Sequence, residues 1–267
     1  MFFLKTIIAL AFSVAAQLIC AENALAWGPG VHTVTALSLL CNIDLILPSI
    51  AGIITSAQHE FLYGCLAADF FVGKTRKKKS GYPHNWEGGF QFLSKAGDDR
   101  EAAFAYGFLS HLAADVVAHN FFVPNLVAPY PRGKKMAHLF FEIKADYLIG
   151  PDYTKIAKDV LSGKHQRCDN LLKIIAKEKK KGLKAKKRLF RQSVNLTDYL
   201  YTMHDFLFDG KAIKRNSFHE YLALMVDLSC GVLKDFLKHP EASFCLSYNP
   251  IGRPDLHCAK KRKSTAN

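Results

Sequence analysis

The sequence predicts an all-α protein that folds as a single-domain, multi-helix bundle. Hydrophobic residues recur at the helical spacing of three and four positions almost throughout the chain, and no stretch alternates between apolar and polar residues as a strand does. The 267 residues are 49% hydrophobic and 12% aromatic, which provides enough apolar material for one large core. No internal repeat divides the chain.

Individual helices are predicted from this periodicity and from proline, glycine and capping residues. The first helix is expected over residues 31–47 and should end before Pro48. The long central helix is expected to start at Asp98, with Glu101 completing a capping box. Pro124 and residues 129–131 are expected in a loop. The other helices are expected at 57–71, 86–95, 134–149, 153–161, 169–180, 183–192, 196–208 and 216–238.

The first 26 residues have the pattern of a secretory signal peptide. Lys5 precedes an apolar run over residues 6–18, and the small residues Ala24 and Ala26 are typical of a cleavage site after Ala26. The apolar run is short for a membrane-spanning helix. We therefore expect a signal peptide at residues 1–26.

Cleavage there leaves residues 27–267 as one mature domain of a secreted or periplasmic protein. A lipoprotein signal, in which Cys20 would be lipidated, is the alternative. Ile19 disfavours that alternative because a small residue is expected immediately before a lipidated cysteine.

The chain is strongly basic, with 36 Lys and Arg residues against 23 Asp and Glu and a formal charge of +13. Such a protein is attracted to anionic surfaces, including phospholipid headgroups, nucleic acid and cell-wall polymers, and charge alone does not choose among them. Residues 74–79 either attract phosphate or an anionic membrane or form a solvated loop. Residues 177–191 form either an interfacial amphipathic helix or the basic outer face of a bundle.

Two histidines and an aspartate lie within residues 105–122 of the largely apolar central helix. His111, Asp115 and His119 are each four positions apart, and a step of four rotates a helical side chain by only about 40°. The three therefore share one face. Two imidazoles and a carboxylate among apolar neighbours cost desolvation free energy unless a cation compensates, and they are the usual ligands of zinc. The alternative is a buried His–Asp pair with an unrelated third histidine.

Four more candidate ligands lie on either side of this helix. Asp69 lies at the end of the preceding apolar helix, His84 lies in the loop after it, and His138 and Glu142 are four positions apart on a later helix. The apolar neighbours of Asp69, and Leu139 to Phe141 between the last two, favour burial. The alternatives are a solvent-facing carboxylate, an exposed loop histidine and a surface hydrogen bond.

Cleavage after Ala26 would also give Trp27 a free α-amino group. This group and the Trp27 carbonyl oxygen can chelate one metal ion in a five-membered ring, and His32 follows after a Gly-Pro-Gly turn. The alternative is a terminal aromatic residue that packs into the core and a histidine that caps a helix.

Taken in order, these residues resemble the signature of the zinc-dependent phospholipase C family, which is related in fold to the fungal single-strand nucleases. The signature is an N-terminal Trp exposed by signal cleavage, a His, an Asp, a His, a His-x-x-x-Asp pair, a further His and a final His-x-x-x-Glu. The resemblance covers about residues 27–148. The matching residues are Trp27, His32, Asp69, His84, His111, Asp115, His119, His138 and Glu142.

The resemblance implies that these residues bind up to three zinc ions. The first ion would be bound by Asp69, His84, His111 and Asp115. The second would be bound by the Trp27 amino and carbonyl groups, by His32 and by the shared carboxylate of Asp115. The third would be bound by His119, His138 and Glu142.

It also implies the activity of an exported zinc-dependent phospholipase C. Paired zinc ions would lower the pKa of a bridging water, the resulting hydroxide would attack phosphorus in line, and Asp69 would be the general base.

The partner would be a phospholipid membrane surface or another phosphodiester substrate, and no protein partner is implied. A single-strand-specific nuclease and a non-catalytic, metal-stabilised exported protein are the alternatives. Residues that bind the substrate are not identified.

Two spacings depart from the better-known phospholipases. Asp115 and His119 are separated by only three residues, where those enzymes have a longer gap. The short separation of Trp27 and His32 is more similar to the nucleases, whereas Glu142 is more similar to the phospholipases because the nucleases have Asp there. The rivals of His119 for its position are His165, His204 and His219.

Overall fold

The structure is a computed structural model that describes residues 27–71, 83–130, 134–208 and 215–252. The predicted signal peptide at 1–26 and the basic segment at 74–79 lie outside the described residues. No strand occurs in the described ranges, and the elements form a compact multi-helix bundle, so the predicted all-α class is confirmed. None of the helices searched within them has the length and hydrophobicity needed to cross a membrane.

The helices are numbered here in chain order. The first six are α1 Pro29–Leu40, α2 Pro48–Ser56, α3 Gln58–Ala67, α4 Trp86–Ser94, α5 Asp99–Val117 and α6 Val123–Val127. They are followed by α7 Lys134–Ile149, α8 Pro151–Ser162, α9 Gln166–Ile175, α10 Lys180–Phe208 and α11 Arg215–Lys238. Short 3₁₀ turns lie at Ile43–Leu45, Ala68–Phe71 and Phe244–Ser247, and a π-helical turn lies at Ala118–Phe122.

Helix α5 is the centre of the bundle. It packs against α2, α3, α4 and α11, and residues 107–119 are buried without interruption, as expected for a helix that is apolar on all sides. Asp98 caps its first turn by accepting a hydrogen bond from the Glu101 amide at 2.9 Å. The Glu101 carboxylate accepts from the Gly97 amide at 2.9 Å rather than from Asp98, so the predicted capping box is shifted by one residue.

Two glycines allow α3 and α5 to touch backbone to backbone. A Cβ atom on Gly64 would lie 2.1 Å from the Phe104 carbonyl oxygen, and one on Gly107 would lie 2.0 Å from the Phe61 carbonyl oxygen. Neither position therefore has room for a side chain. His111 lies one turn beyond Gly107 on α5, so this close crossing holds it against the end of α3.

Three predicted boundaries are wrong, and each error has a local cause. Pro48 begins α2 instead of ending the first helix, and Pro124 lies in the first turn of α6 instead of a loop. Proline suits a first helical turn because its fixed φ is helical and its missing N–H has no partner there. The helices predicted at 183–192 and 196–208 are one continuous helix, α10, since neither Gly nor Pro separates them.

The end of α5 also differs from the regular helix that the spacing predicted. The chain widens into a π-helical turn after Val117, and the Val123 amide donates to the Ala118 carbonyl oxygen five residues back. Turns of this kind occur frequently at functional sites. His119 lies on this wider turn, so its direction does not follow from the four-residue spacing alone.

Replacing Gly107 by alanine should lower the free energy of unfolding by about 1–3 kcal/mol or more, because the added methyl group meets rigid backbone. Gly231 is the matched control, since it is exposed within α11 and a Cβ there would meet nothing within 4 Å. Gly231→Ala should raise the free energy of unfolding by about 0.5–1 kcal/mol through helix propensity. Urea unfolding followed by circular dichroism measures both changes, and changes of the same sign would contradict the backbone contact.

Candidate metal centre

Five predicted ligands converge from four separate parts of the chain. His32 comes from α1, Asp69 from the 3₁₀ turn after α3, His84 from the segment before α4, and His111 and Asp115 from α5. All five side chains are buried. The alternatives of an exposed loop histidine at 84 and a solvent-facing carboxylate at 69 are therefore wrong.

The Asp115 carboxylate lies at the middle of this group. Its Oδ2 atom is 2.9 Å from His84 Nε2 and 3.1 Å from His111 Nε2, while Oδ1 is 3.4 Å from His32 Nε2. The rings of His32 and His111 stack with their centroids 3.8 Å apart. The two oxygens of one carboxylate thus face different histidines, which is the arrangement that a carboxylate shared by two ions requires.

Backbone carbonyl groups orient two of these histidines. His111 Nδ1 lies 2.7 Å from the Cys65 carbonyl oxygen, and His84 Nδ1 lies 3.3 Å from that of Ala68. A carbonyl oxygen only accepts, so Nδ1 carries the proton and donates it, and in the neutral ring Nε2 keeps a lone pair. Metal-ligating histidines are typically held in this way, with the second ring nitrogen bonded to a carbonyl group.

The ionisation of His111 and Asp115 favours a cation bound between their side chains. Burial lowers the pKa of His111, which favours the neutral ring. Burial opposes ionisation of Asp115, but the nearby His111 and hydrogen bonds to the surrounding histidines hold its pKa well below the usual range. His111 Nε2 and the Asp115 carboxylate are 3.1 Å apart, so either a proton or a cation must lie between them, and the lowered pKa of His111 favours a bound cation.

The pKa values of Asp69 and His84 are both raised, but for different reasons. Burial raises the pKa of Asp69 to about 7, although the nearby His111 works against this shift. Burial by itself would lower the pKa of His84, but the hydrogen bond to Asp115, the charges of Asp115 and Asp69 and the hydrogen bond to the Ala68 carbonyl group together outweigh burial and raise the pKa. Of His84 and His111, His84 therefore carries a proton more readily when no metal is bound.

Buried carboxylates outnumber buried cationic side chains around this centre. Asp69, Asp115, Glu142 and Asp146 are all buried, whereas no Lys or Arg is buried in the part of the chain that the structure describes. Burial raises the pKa of Glu142 well above its usual value, and the charges of the other three carboxylates raise it further. Such a concentration of buried acids is unfavourable unless bound cations offset it.

The buried polar atoms without a hydrogen-bond partner point to the same conclusion. In the described ranges they include His32 Nε2, Asp69 Oδ2, His111 Nε2, Asp115 Oδ1 and His119 Nε2, all of which belong to predicted ligands. The ligand atoms of His32, Asp69 and His111 lie within 4.8 Å of one another, and so do those of His84, His111 and Asp115. Imidazole and carboxylate donors at this separation fit zinc.

The remaining predicted ligands lie beside this group and are not part of either set of three. The His119 and His138 rings are nearly perpendicular, with centroids 5.9 Å apart. Glu142 is buried, so a surface hydrogen bond does not describe it. The Trp27 side chain is fully buried against Phe122, with ring centroids 4.3 Å apart, as the core-packing alternative describes. A third ion, and ligation by Trp27, stay predictions.

Two of the three rivals of His119 have described side chains, and neither belongs to this centre. His165 stacks on Tyr63 with centroids 3.6 Å apart, and its Nε2 lies 2.7 Å from the Val160 carbonyl oxygen. His219 is exposed. The side chain of His204 lies outside the described residues.

Asp146 is a buried acid that the sequence interpretation missed. It follows Glu142 by four residues, as Glu142 follows His138, so the three share one face of α7. This continued four-residue repeat was the available signal.

The Asp146 carboxylate ties α7 to the start of α1. Its two oxygens each accept a backbone hydrogen bond at 3.0 Å, one from the Gly30 amide and one from the Val31 amide. A Cβ atom on Gly28 would lie 2.4 Å from Asp146 Oδ2, so the chain passes directly over the carboxylate. Asp146 therefore holds the turn that precedes His32.

The buried group of imidazoles and carboxylates within a helical bundle is typical of all-α metalloproteins. Residues 31–205 match the family model described as zinc dependent phospholipase C, and this match covers well over half of the 267 residues. The chain belongs to the zinc dependent phospholipase C family, and it is a zinc-dependent, phospholipase C-like hydrolase. No curated protein and no solved structure matches the chain.

Asp115→Asn should remove zinc from the protein, because the substitution takes away the charge that the surrounding histidines share. We expect the variant to retain fewer zinc equivalents than the wild type after dialysis, as measured by inductively coupled plasma mass spectrometry. Asp235→Asn is the control, since Asp235 accepts from Ser243, outside this centre. Equal zinc contents in all three proteins would contradict the central role of Asp115.

Asp146→Asn should weaken zinc binding by roughly tenfold, the effect usual for a residue that orients a metal ligand. An amide has only one acceptor oxygen, so one of the two amide donors of α1 loses its partner. Competition with a chromogenic chelator measures the affinity. Asp152→Asn, at an exposed position of α8, should leave it unchanged, and an unchanged affinity for Asp146→Asn would show that the α1 turn does not depend on this carboxylate.

Proposed function

We propose that the protein is an exported phospholipase C that cleaves the glycerol–phosphate bond of phospholipids at a zinc centre around Asp115. The observation that carries this proposal is the contact between the Asp115 carboxylate and the ring nitrogens of three histidines. Each of these contacts needs a proton or a cation between its two atoms, and a buried cluster of such contacts is the environment expected of metal ligands. The family to which the chain belongs acts on phospholipids, which is why this substrate is preferred.

The proposal assigns each ligand to an ion. The first ion would be held by Asp69, His84, His111 and Asp115. The second would be held by His32, by Asp115 and by the amino and carbonyl groups of Trp27. The third would be held by His119, His138 and Glu142.

Zinc, when bound, would supply a Lewis acid that lowers the pKa of a coordinated water and offsets charge on the phosphate. Asp69 would be the general base and would hold the transferred proton at Oδ2. That oxygen has no hydrogen-bond partner in the described ranges, whereas Oδ1 faces His111 Nε2 at 3.5 Å. The backbone carbonyl groups behind His84 and His111 would keep both rings directed at the centre.

Export belongs to the same proposal. The pattern of residues 1–26 favours cleavage after Ala26, and only cleavage at that bond would free the Trp27 amino group. Signal-peptide removal would thereby complete the second ion's ligand set and couple activity to secretion.

The alternatives are a single-strand nuclease, favoured by the short Trp27 to His32 spacing, and a non-catalytic metal protein. Purified residues 27–267 should be incubated with phosphatidylcholine and, separately, with single-stranded DNA, each with and without a chelator. We expect release of phosphocholine and diacylglycerol, its loss on chelation and its return with added zinc. Cleavage of DNA alone would favour the nuclease, and inactivity of the zinc-loaded protein on both substrates would favour the non-catalytic protein.

One extra alanine before Trp27 should reduce zinc content and hydrolysis, because it converts the free amino group into an amide. The matched control carries one extra alanine after Asn267, which leaves the amino terminus unchanged. Mass spectrometry verifies each terminus, and plasma mass spectrometry measures zinc. Equal zinc content in both proteins would exclude the Trp27 amino group as a ligand.

Asp69→Asn should lower kcat by roughly 10²–10⁴-fold, the usual effect of losing a general base. KM for a soluble short-chain phosphatidylcholine should change little. The exposed Asp44 provides the control Asp44→Asn, for which neither constant should change. If the Asp69→Asn variant keeps both its zinc and the wild-type kcat, Asp69 is not the general base.

A further inference from the structure

The amino-terminal half of α10 has a strongly basic outer face. Lys181, Lys184, Arg188 and Arg191 follow one another at intervals of three, four and three residues, so they lie along one side of the helix. All four side chains are exposed. We refer to these four residues as the basic stripe.

No acid whose side chain is described lies next to the basic stripe on α10. No Asp or Glu occurs from residue 179 to residue 197. The two neighbouring acids are engaged elsewhere, since Glu178 pairs with Lys186 and Asp169 pairs with Lys187. None of the four stripe residues forms an ion pair with another described residue. Like charges three or four residues apart destabilise a helix, so the basic stripe costs stability unless it has an anionic partner.

Exposed apolar side chains accompany these charges. Leu189 follows Arg188 on α10 and is 43% exposed, and Ile174 on the adjoining helix α9 is 63% exposed. Both are large aliphatic side chains, and their exposure is unfavourable in water. Basic residues with exposed aliphatic neighbours are typical of helices that lie in a membrane interface, because long basic side chains keep their charge at the headgroups while their stems cover apolar surface.

The inner side of α10 contacts the turn that carries Asp69. The Phe190 ring packs on Phe70 with centroids 5.4 Å apart, and Lys186 Nζ lies 4.8 Å from the Phe71 ring centroid. The width of a helix with its side chains is about 10 Å. The basic stripe is therefore separated from the Asp69 turn by roughly one helix.

We propose that the basic stripe, with Leu189 and Ile174, is the surface by which the protein docks on anionic phospholipid bilayers. The inference rests on the proposed phospholipase C function and names the surface that holds the substrate bilayer next to the centre. Charge complementarity supports it, because the stripe is exposed, the described acids Glu178 and Asp169 pair with other lysines, and phospholipid is the substrate of the family. Docking through α10 would keep the Asp69 turn close to the bilayer through successive turnovers.

The test compares Lys181→Glu/Lys184→Glu/Arg188→Glu with a control of equal charge change, Lys95→Glu/Lys155→Glu/Lys238→Glu. The control lysines are exposed and lie on or next to α4, α8 and α11. Binding to vesicles of phosphatidylcholine with phosphatidylserine is measured by co-sedimentation. The stripe variant should bind at least about 100-fold more weakly than the wild type, whereas the control should lose much less. Wild-type binding should weaken as salt is raised.

Equal vesicle affinities of the stripe and control variants would overturn the proposal. So would loss of single-stranded oligonucleotide binding in the stripe variant with vesicle binding intact, since that assigns the surface to nucleic acid. Circular dichroism verifies folding, and Lys181→Gln/Lys184→Gln/Arg188→Gln replaces the first variant if glutamate disrupts α10.

Hydrolysis of monomeric short-chain phosphatidylcholine separates the two proposals. It should be unchanged in both variants, because a dissolved substrate needs no docking surface. Failure of the wild type to hydrolyse it would overturn the phospholipase function, whereas vesicle binding is measured without any hydrolysis. A stripe variant that loses hydrolysis of the monomer as strongly as that of vesicles would contradict a role in docking.

Discussion

The contact between the Asp115 carboxylate and three imidazoles is the interaction on which the rest of the structure depends. One carboxylate oxygen faces His32 and the other faces His84 and His111, yet no buried Lys or Arg in the described ranges balances the surrounding acids. A buried cluster of this kind is unfavourable by itself. Bound divalent cations would offset this cost, which agrees with membership of a zinc-dependent family.

The surrounding helices hold this cluster by contacts with backbone rather than with other side chains. The crossing of α3 and α5 at Gly64 and Gly107 brings the carbonyl group of Cys65 to the His111 ring. At Asp146 a side chain binds backbone donors instead, because its carboxylate accepts two amide hydrogen bonds from the first turn of α1. Backbone groups have fewer degrees of freedom than side chains, so ligands held in this way are positioned before a metal binds.

Part of this arrangement could be predicted because it is local. The four-residue spacing of His111 and Asp115 on a regular helix brought their side chains together as expected, at 3.1 Å. For His119 the spacing does not by itself fix the direction of the side chain, because the helix widens into a π turn that spacing cannot reveal. Asp146 continues the four-residue repeat of His138 and Glu142, but nothing in the local sequence indicates that this acid meets the amides at the start of α1.

The sequence by itself determined the all-α class and the order of the candidate ligands, because helical periodicity and residue type are properties of neighbouring positions. The resemblance that it carried was confirmed by the family match over residues 31–205. Only the tertiary structure decided which of those residues lie together. His32, Asp69 and His84 are far apart along the chain, and only the packing of α1, α3 and α4 around α5 brings their side chains to Asp115.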